Sequence, residues 1–142
     1  MHLIFGGAYQ GKLDYAKERY QLKAEDIYLC GAEAYWCSPD LERGDPVPVP
    51  EIDFTKKGID GLEEFVLSCV CSGVEAKAYL EAHREEWKDS IFICTDISSG
   101  VVPCDKEQRA WREMVGRTLM YLGKEAEEVT RIFCGLPQTI KK

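Results

Sequence analysis

The chain has 142 residues, of which 25 are acidic and 18 basic, so its formal net charge is −7. This length is typical of one domain, and we expect residues 1–142 to form a single one. The acidic balance argues against a protein that binds nucleic acid, because phosphate neutralisation requires a basic face, but a nest of backbone N–H groups could still bind a small anion.

The N-terminal segment does not have the pattern of a signal peptide, and no run of 18 apolar residues predicts a membrane-spanning helix. Seven cysteines occur without a C-x-x-C pair. Four of them lie in apolar runs, where cysteine acts as a small hydrophobic residue: Cys30, Cys69, Cys94 and Cys134. We therefore expect a reduced, cytoplasmic protein with no membrane contact, no nucleic-acid partner and no set of protein metal ligands.

Apolar runs next to glycine, proline or charged residues predict the strands, which lie at residues 2–6, 26–30, 91–94 and 129–134, with a short edge strand at 139–140. Helical spacing of apolar residues predicts helices at 12–22, 62–73, 76–87 and 105–122. The segment at 76–87 is either a separate helix or a continuation of the helix at 62–73. Four prolines between residues 37 and 50 predict a proline-rich loop at about 37–58. Strands that alternate with helices indicate an α/β fold with a mostly parallel sheet.

One motif between the first predicted strand and the first predicted helix carries chemistry. It reads G-x-x-x-x-G-K and comprises Gly6, Gly7, Ala8, Tyr9, Gln10, Gly11 and Lys12, followed by Leu13. In such a loop, backbone N–H groups cradle phosphates, glycines permit their close approach and the lysine adds a positive charge. The motif thus predicts a nucleotide phosphate site, and the alternative is a glycine-rich turn that binds nothing.

Leu13 stands where this motif normally has serine or threonine, whose hydroxyl ligates Mg²⁺. Leucine offers no oxygen to a metal. We therefore expect the loop to keep its phosphate-binding ability and to lose part of its hold on Mg²⁺.

Several spaced segments of the carboxyl half resemble one family in order. They read DISSGVVP at 96–103, RAWREMVGR at 109–117, AEEV at 126–129 and GLP at 135–137. Together with residues 2–17, they are similar to the adenosylcobinamide kinase / adenosylcobinamide-phosphate guanylyltransferase family of cobalamin biosynthesis. The resemblance covers residues 2–17 and about 91–141.

The resemblance implies a single-domain P-loop NTPase-like fold of the RecA type, with a mostly parallel sheet flanked by helices, and a homo-oligomer. It implies two activities. One phosphorylates the aminopropanol hydroxyl of cobinamide with ATP or GTP, and the other transfers GMP from GTP through a guanylylated histidine.

The chain departs from the family pattern at several functional positions. Tyr9 and Gln10 replace Arg-Ser, Leu13 replaces the loop serine, and Asp96 replaces a glutamate. Residues 31–60 contain no histidine to act as the guanylylated nucleophile. The family's aspartate-ended strand has its nearest counterpart in FVLSCV at 65–70, with Ser68 at the position of the aspartate.

The resemblance leaves Lys12 and Asp96 as candidate catalytic residues, with Asp96 as a substitute metal ligand. Three arginines, Arg109, Arg112 and Arg117, either face phosphate or substrate or form surface ion pairs. We expect His2 to be a solvated terminus and His83 to be solvated or locally paired. Glu63–Glu64 and Glu85–Glu86 are interpreted as solvated helix faces.

These observations predict a cobinamide kinase/guanylyltransferase-like protein that binds a purine nucleotide, ATP or GTP, and a cobinamide-like substrate. Guanylyltransferase activity is expected to be lost, and any Mg²⁺ effect on nucleotide binding is expected to be small. The alternative is a catalytically inactive nucleotide-binding or oligomerising module.

Overall fold

The structure, a computed structural model, describes residues 1–31, 50–98 and 104–142. Its strands are β1 (His2–Gly6), β2 (Ile27–Leu29), β3 (Gly58–Asp60), β4 (Ile91–Thr95), β5 (Glu128–Phe133) and β6 (Leu136–Lys141). Its helices are α1 (Lys12–Tyr20), α2 (Leu62–Ser72), α3 (Ala76–Ala82), α4 (Arg84–Trp87) and α5 (Lys106–Glu125), with a 3₁₀ turn at Ala24–Asp26. Most of the predicted proline-rich loop lies outside the described residues.

The six strands form one sheet in the order β2-β3-β4-β1-β5-β6. Strands β1 to β5 all run parallel to one another, whereas the edge strand β6 pairs antiparallel with β5. β1 lies in the interior of the sheet, where Leu3 and Ile4 are buried on opposite faces. The predicted α/β fold with a mostly parallel sheet flanked by helices is therefore confirmed.

The alternation of side chains along each strand divides the core between the two faces of the sheet. On one face, Ile4, Ile93 and Ile132 pack with Ala16 of α1. On the other face, α2, α3, α4 and α5 cover a second cluster that includes Leu3 and Phe92.

This arrangement opens a crevice beside β1. β1 is followed by α1 on one face, and its neighbour β4 is followed by α5 on the other face. In parallel α/β sheets, ligands bind at the carboxyl ends of strands where successive connections diverge in this way. The glycine-rich loop at residues 6–13 lies at this edge.

Strand β3 was not predicted from the sequence. It has three residues, and Ile59 is its only large apolar side chain, so no periodicity marks it. Its position between β2 and β4 comes from partners distant in sequence.

The helix predicted at 62–73 is confirmed as α2, so the correspondence of residues 65–70 with the family's aspartate-ended strand is wrong. They lie within α2, where Phe65, Val66 and Cys69 are buried at helical spacing. Ser68 lies in mid-helix, and its hydroxyl donates to the carbonyl of Glu64 at 3.1 Å. The α2 helix ends at Gly73, so α3 is a separate helix, not a continuation.

Two smaller expectations are also corrected. His2 is not a solvated terminus, because it belongs to β1 and its Nδ1 lies 2.7 Å from the Tyr20 hydroxyl. Cys134 is exposed in the turn between β5 and β6, whereas Cys30, Cys69 and Cys94 are buried as predicted. Across the described ranges, no helix is both long enough and apolar enough to span a bilayer.

Candidate functional site

The loop between β1 and α1 begins at a glycine that the sheet itself requires. A Cβ built on Gly6 would lie 2.4 Å from the carbonyl oxygen of Ile132 on the neighbouring strand β5. Gly11, at the end of the loop, has φ +87 and caps α1 in the left-handed conformation that favours glycine. Both glycines of the motif are thus explained by the backbone path.

Lys12 is the first residue of α1 and is only 8% exposed. Its side chain folds back over the loop, and Nζ donates to the carbonyl of Gly7 at 2.6 Å. An ammonium group held over the loop in this way can exchange its carbonyl partner for a phosphate oxygen.

The start of α1 offers backbone donors beside this lysine. The N–H of Tyr15 makes an intrahelical bond to Gly11 at 3.0 Å. The N–H groups of Lys12, Leu13 and Asp14 precede it and have no intrahelical partner. A helix start with unpaired N–H groups and a positive dipole end favours an anion.

The outer part of the loop is anchored to the β5–β6 turn. Oε1 of Gln10 accepts from the N–H of Cys134 at 2.6 Å, and the Gln10 carbonyl accepts from the N–H of Gly135 at 3.1 Å. Cys134 and Gly135 both have positive φ, which turns the hairpin back toward the loop. The resemblance singled out Gln10 only as a departure, and its partners come from the far end of the chain.

A cavity of about 310 Å³ opens beside the loop. Its described lining comprises residues 9–14 of the loop and helix start, Leu29, Ile93 and Thr95 of the sheet, and Asp60, Gly61, Glu63 and Glu64. Lys12 is the one basic side chain in this lining, against four carboxylates.

Asp60 is the acidic residue that the sequence interpretation missed. It is the last residue of β3 and lines the cavity with Lys12, so an aspartate-ended strand does precede a helix here. Burial raises the pKa of its carboxyl group, the Gly61 N–H at 2.8 Å opposes that rise, and the charge of Glu63 adds to it. Lys12 also lowers the pKa, since its charge stabilises the carboxylate.

Glu63 is not on a solvated helix face. Its Oε2 accepts from the backbone N–H of Thr95 at 2.9 Å, which ties the first turn of α2 to the end of β4. Its carbonyl accepts from Nε1 of Trp111 at 2.8 Å. Glu64 also lines the cavity, and burial raises the pKa of its carboxyl group.

Asp96, the candidate substitute metal ligand, has a different position. Its Oδ1 accepts from the N–H of Ser98 at 2.9 Å and from the Ser98 hydroxyl at 2.5 Å. Its own N–H donates to the carbonyl of Gly6 at 2.8 Å. Asp96 therefore holds the first residue of the loop through its backbone N–H, and it is not part of the described lining of the cavity.

The three arginines of α5 contact protein groups. Nη1 of Arg109 donates to the carbonyl of Cys104 at 2.7 Å. Arg112 donates to the carbonyls of Ile97 at 3.0 Å and Ser98 at 3.2 Å. Arg117 forms an ion pair with Glu75 at 3.1 Å. None of the three contributes to the described cavity lining, although Arg112 fixes the segment that follows β4.

Neither of the two histidines of the chain lines the cavity. His83 is locally paired, because its Nδ1 lies 2.8 Å from the Tyr79 carbonyl and its ring stacks on Tyr79 at a centroid distance of 4.2 Å. Within residues 1–31, 50–98 and 104–142, no three His, Cys, Asp or Glu side chains form a group that could hold a metal ion.

A comparison with family models adds an independent observation. The family described as cobinamide kinase / cobinamide phosphate guanyltransferase matches residues 68–140, just over half of the chain. The match runs from the second half of α2 into β6 and does not reach the loop at residues 6–13. No curated protein matches the chain. The chain therefore belongs to the cobinamide kinase / cobinamide phosphate guanyltransferase family, which supports a cobinamide kinase/guanylyltransferase-like function in cobalamin biosynthesis.

Proposed function

We propose that the chain binds ATP or GTP with its phosphates on residues 6–13 and acts as a phosphotransferase on a cobinamide-like alcohol. The observation that carries this proposal is the cavity that Lys12 and Asp60 line together at the carboxyl edge of a parallel sheet. The strand order and the path from β1 through the loop into α1 support a P-loop fold of the RecA type.

In this proposal the loop amides and Lys12 hold the transferred phosphoryl group. Positioning and charge stabilisation supply most of the catalysis of phosphoryl transfer, so a fixed lysine and helix start are the parts that matter most. The Gln10 anchor keeps the loop in shape before the nucleotide arrives.

Mg²⁺ fits the donors of this cavity if it arrives with the nucleotide. Asp60 and Glu63 supply carboxylate oxygens, which suit a hard cation, while Leu13 supplies none. Bound Mg²⁺ would neutralise phosphate charge that the carboxylates otherwise repel. The expectation of a small Mg²⁺ effect depended partly on Ser68 at the strand end, and Asp60 removes that premise.

A phosphorylation assay tests the proposal. Wild-type protein incubated with cobinamide and γ-labelled ATP or GTP is expected to label cobinamide, and Lys12→Ala is expected to reduce the rate at least 100-fold. Lys124→Ala, which changes a lysine of α5 outside the described cavity lining, is the matched control and should retain the wild-type rate. Equal rates for wild type and Lys12→Ala would refute the assigned role.

Guanylyl transfer is proposed to be lost. A covalent GMP intermediate requires a nucleophilic imidazole in the site, and both histidines of the chain have partners elsewhere. We expect no acid-labile GMP adduct after incubation with GTP, as measured by intact-protein mass spectrometry. An adduct mapped to His83 would contradict this expectation.

The inactive alternative has one observation in its favour, the apolar side chain of Leu13 at the loop. An oligomerising role has another: Phe133, Leu136 and Ile140 are exposed on the β5–β6 hairpin, which suits contact with a second copy of the chain. Nucleotide binding without cobinamide phosphorylation would favour this alternative.

A further inference from the structure

We propose that Tyr9 and Leu29 form an apolar rim that binds the hydrophobic body of the alcohol to which the phosphoryl group is transferred. This inference rests on the proposed function and assigns a second binding surface in the same cavity. It concerns Tyr9, at a position where the family has arginine, and Leu29, which the sequence interpretation did not single out.

Tyr9 is held in an unfavourable conformation. Its φ of +56° lies in the left-handed region, which costs energy for a residue with a Cβ. Its side chain is nevertheless fully exposed, so no packing within the described protein compensates for the strain. Strain of this kind is concentrated at sites that contact ligands, and here it keeps a bare aromatic ring at the cavity mouth.

Gln10, the next residue, holds the loop backbone beside Tyr9 in place. Gln10 is bonded through both its side chain and its carbonyl to Cys134 and Gly135. The backbone at Tyr9 therefore cannot easily leave its left-handed conformation. The backbone that carries the ring is thus fixed before a ligand binds, so little backbone entropy is lost when a ligand covers the ring.

Leu29 supplies a second apolar surface on the same cavity. It is the last residue of β2 and is 57% exposed. Six large apolar side chains of the described residues are exposed, and Tyr9 and Leu29 are the two that line this cavity. An apolar rim above a few convergent polar groups is the usual composition of a small-molecule site.

The charges of the lining decide which substrate this rim suits. Asp60, Glu63 and Glu64 line the cavity together with Lys12. Their carboxylates repel a polyanion such as a second phosphate chain, but they accept hydrogen bonds from hydroxyl and amide N–H donors. The occupant is therefore an uncharged or cationic alcohol with an apolar body and N–H or O–H donors.

This placement satisfies the chemistry of transfer. The alcohol oxygen forms the new O–P bond while the bond to the leaving nucleoside diphosphate breaks, and the alcohol proton is released to solvent. An alcohol held by its apolar body at the rim presents its hydroxyl toward the phosphates at Lys12, which is the orientation that this step requires.

Binding of cobinamide to protein saturated with Mg²⁺ and a non-hydrolysable ATP or GTP analogue tests the inference. We expect Leu29→Ser and Tyr9→Ala each to weaken cobinamide binding about five- to tenfold. Tyr9→Phe keeps the ring and should restore binding to within twofold of wild type. Phe133→Ala, which removes an exposed aromatic ring outside the described cavity lining, is the matched control and should bind like wild type.

Titration of the nucleotide analogue alone distinguishes a failure of the proposed function from a failure of the rim inference. If wild type binds no nucleotide, the proposed function fails. If it binds nucleotide but not cobinamide, the assignment of cobinamide as the acceptor in the proposed function fails together with the rim inference. If wild type binds both, and Leu29→Ser and Tyr9→Ala bind cobinamide as wild type does, the rim inference alone is overturned. A loss of nucleotide affinity in Leu29→Ser with unchanged cobinamide binding would assign the rim to the nucleobase and also overturn it.

Discussion

Replacement of Gly6 by alanine is expected to destabilise the protein by about 3 kcal/mol and to lower Tm by roughly 10 °C. The added Cβ would lie 2.4 Å from the Ile132 carbonyl oxygen, far inside van der Waals contact. That oxygen belongs to the backbone of β5, so the clash is relieved only if the paired strands β1 and β5 move apart. Urea and thermal unfolding measure the loss.

Gly123 provides the matched control for this substitution. It lies in α5, and a Cβ added there meets nothing within 4 Å. Gly123→Ala is expected to stabilise the helix by about 0.5–1 kcal/mol because alanine has the higher helix propensity. Wild-type stability in Gly6→Ala would show that β1 and β5 do not approach as described.

Replacement of Asp60 by asparagine is expected to weaken the binding of Mg²⁺-nucleotide at least tenfold, or about 1.4 kcal/mol. Binding of metal-free nucleotide should not weaken, because the variant removes a negative charge from the cavity. Asparagine can still accept from the Gly61 N–H, so the local backbone is preserved. Calorimetry with and without Mg²⁺ separates the two effects.

Asp96→Asn is the informative control, since Asp96 bonds Ser98 behind the loop. It should leave the Mg²⁺ dependence within twofold of wild type. If Asp96→Asn loses the Mg²⁺ dependence and Asp60→Asn keeps it, the assignment of the strand-end acid is wrong.

Asp60 should also give the protein a pH-dependent stability. Burial raises its pKa in the folded state, so between the unfolded and folded pKa values the folded protein binds more protons than the unfolded chain. Stability therefore falls as pH rises through this window. Asp60→Asn removes the fall, and urea unfolding should show the variant more stable than wild type at pH 7 but similar at about pH 4.

The position of the glycine-rich loop between β1 and α1 could be predicted from sequence because its signals are local. The Gly6-to-Lys12 spacing, an apolar run before it and a helical pattern after it all lie within about 20 residues, and β1 and α1 formed where expected. The shape of the loop could not be predicted, since Gln10 is anchored by Cys134 and Gly135 more than 120 residues away.

The strand-end acid could not be found from pattern alone for a physical reason. FVLSCV at 65–70 is the segment most similar to the family's aspartate-ended strand, yet its apolar spacing is the one that predicts the helix at 62–73. The buried spacing of Phe65, Val66 and Cys69 made it a helix, while the true strand, β3, has one large apolar residue. Asp60 could therefore be recognised as a strand-end acid only from the structure, in which β3 lies between β2 and β4.

The arginines show a similar limit. Spacing placed Arg109, Arg112 and Arg117 on one helix, and α5 confirms that. The partner of Arg109 lies just before α5, that of Arg112 lies after β4, and that of Arg117 lies before α3. A helical pattern cannot reveal contacts whose other half comes from a different element.

The central claim is that residues 6–13 hold nucleotide phosphates through Lys12. Calorimetric titration of wild type and Lys12→Ala with ATP and GTP in the presence of Mg²⁺ tests it most directly. We predict one nucleotide bound per wild-type chain and an affinity at least tenfold weaker in Lys12→Ala, with the folded state of both proteins confirmed by circular dichroism. Nucleotide affinity that is unchanged in folded Lys12→Ala would contradict the claim.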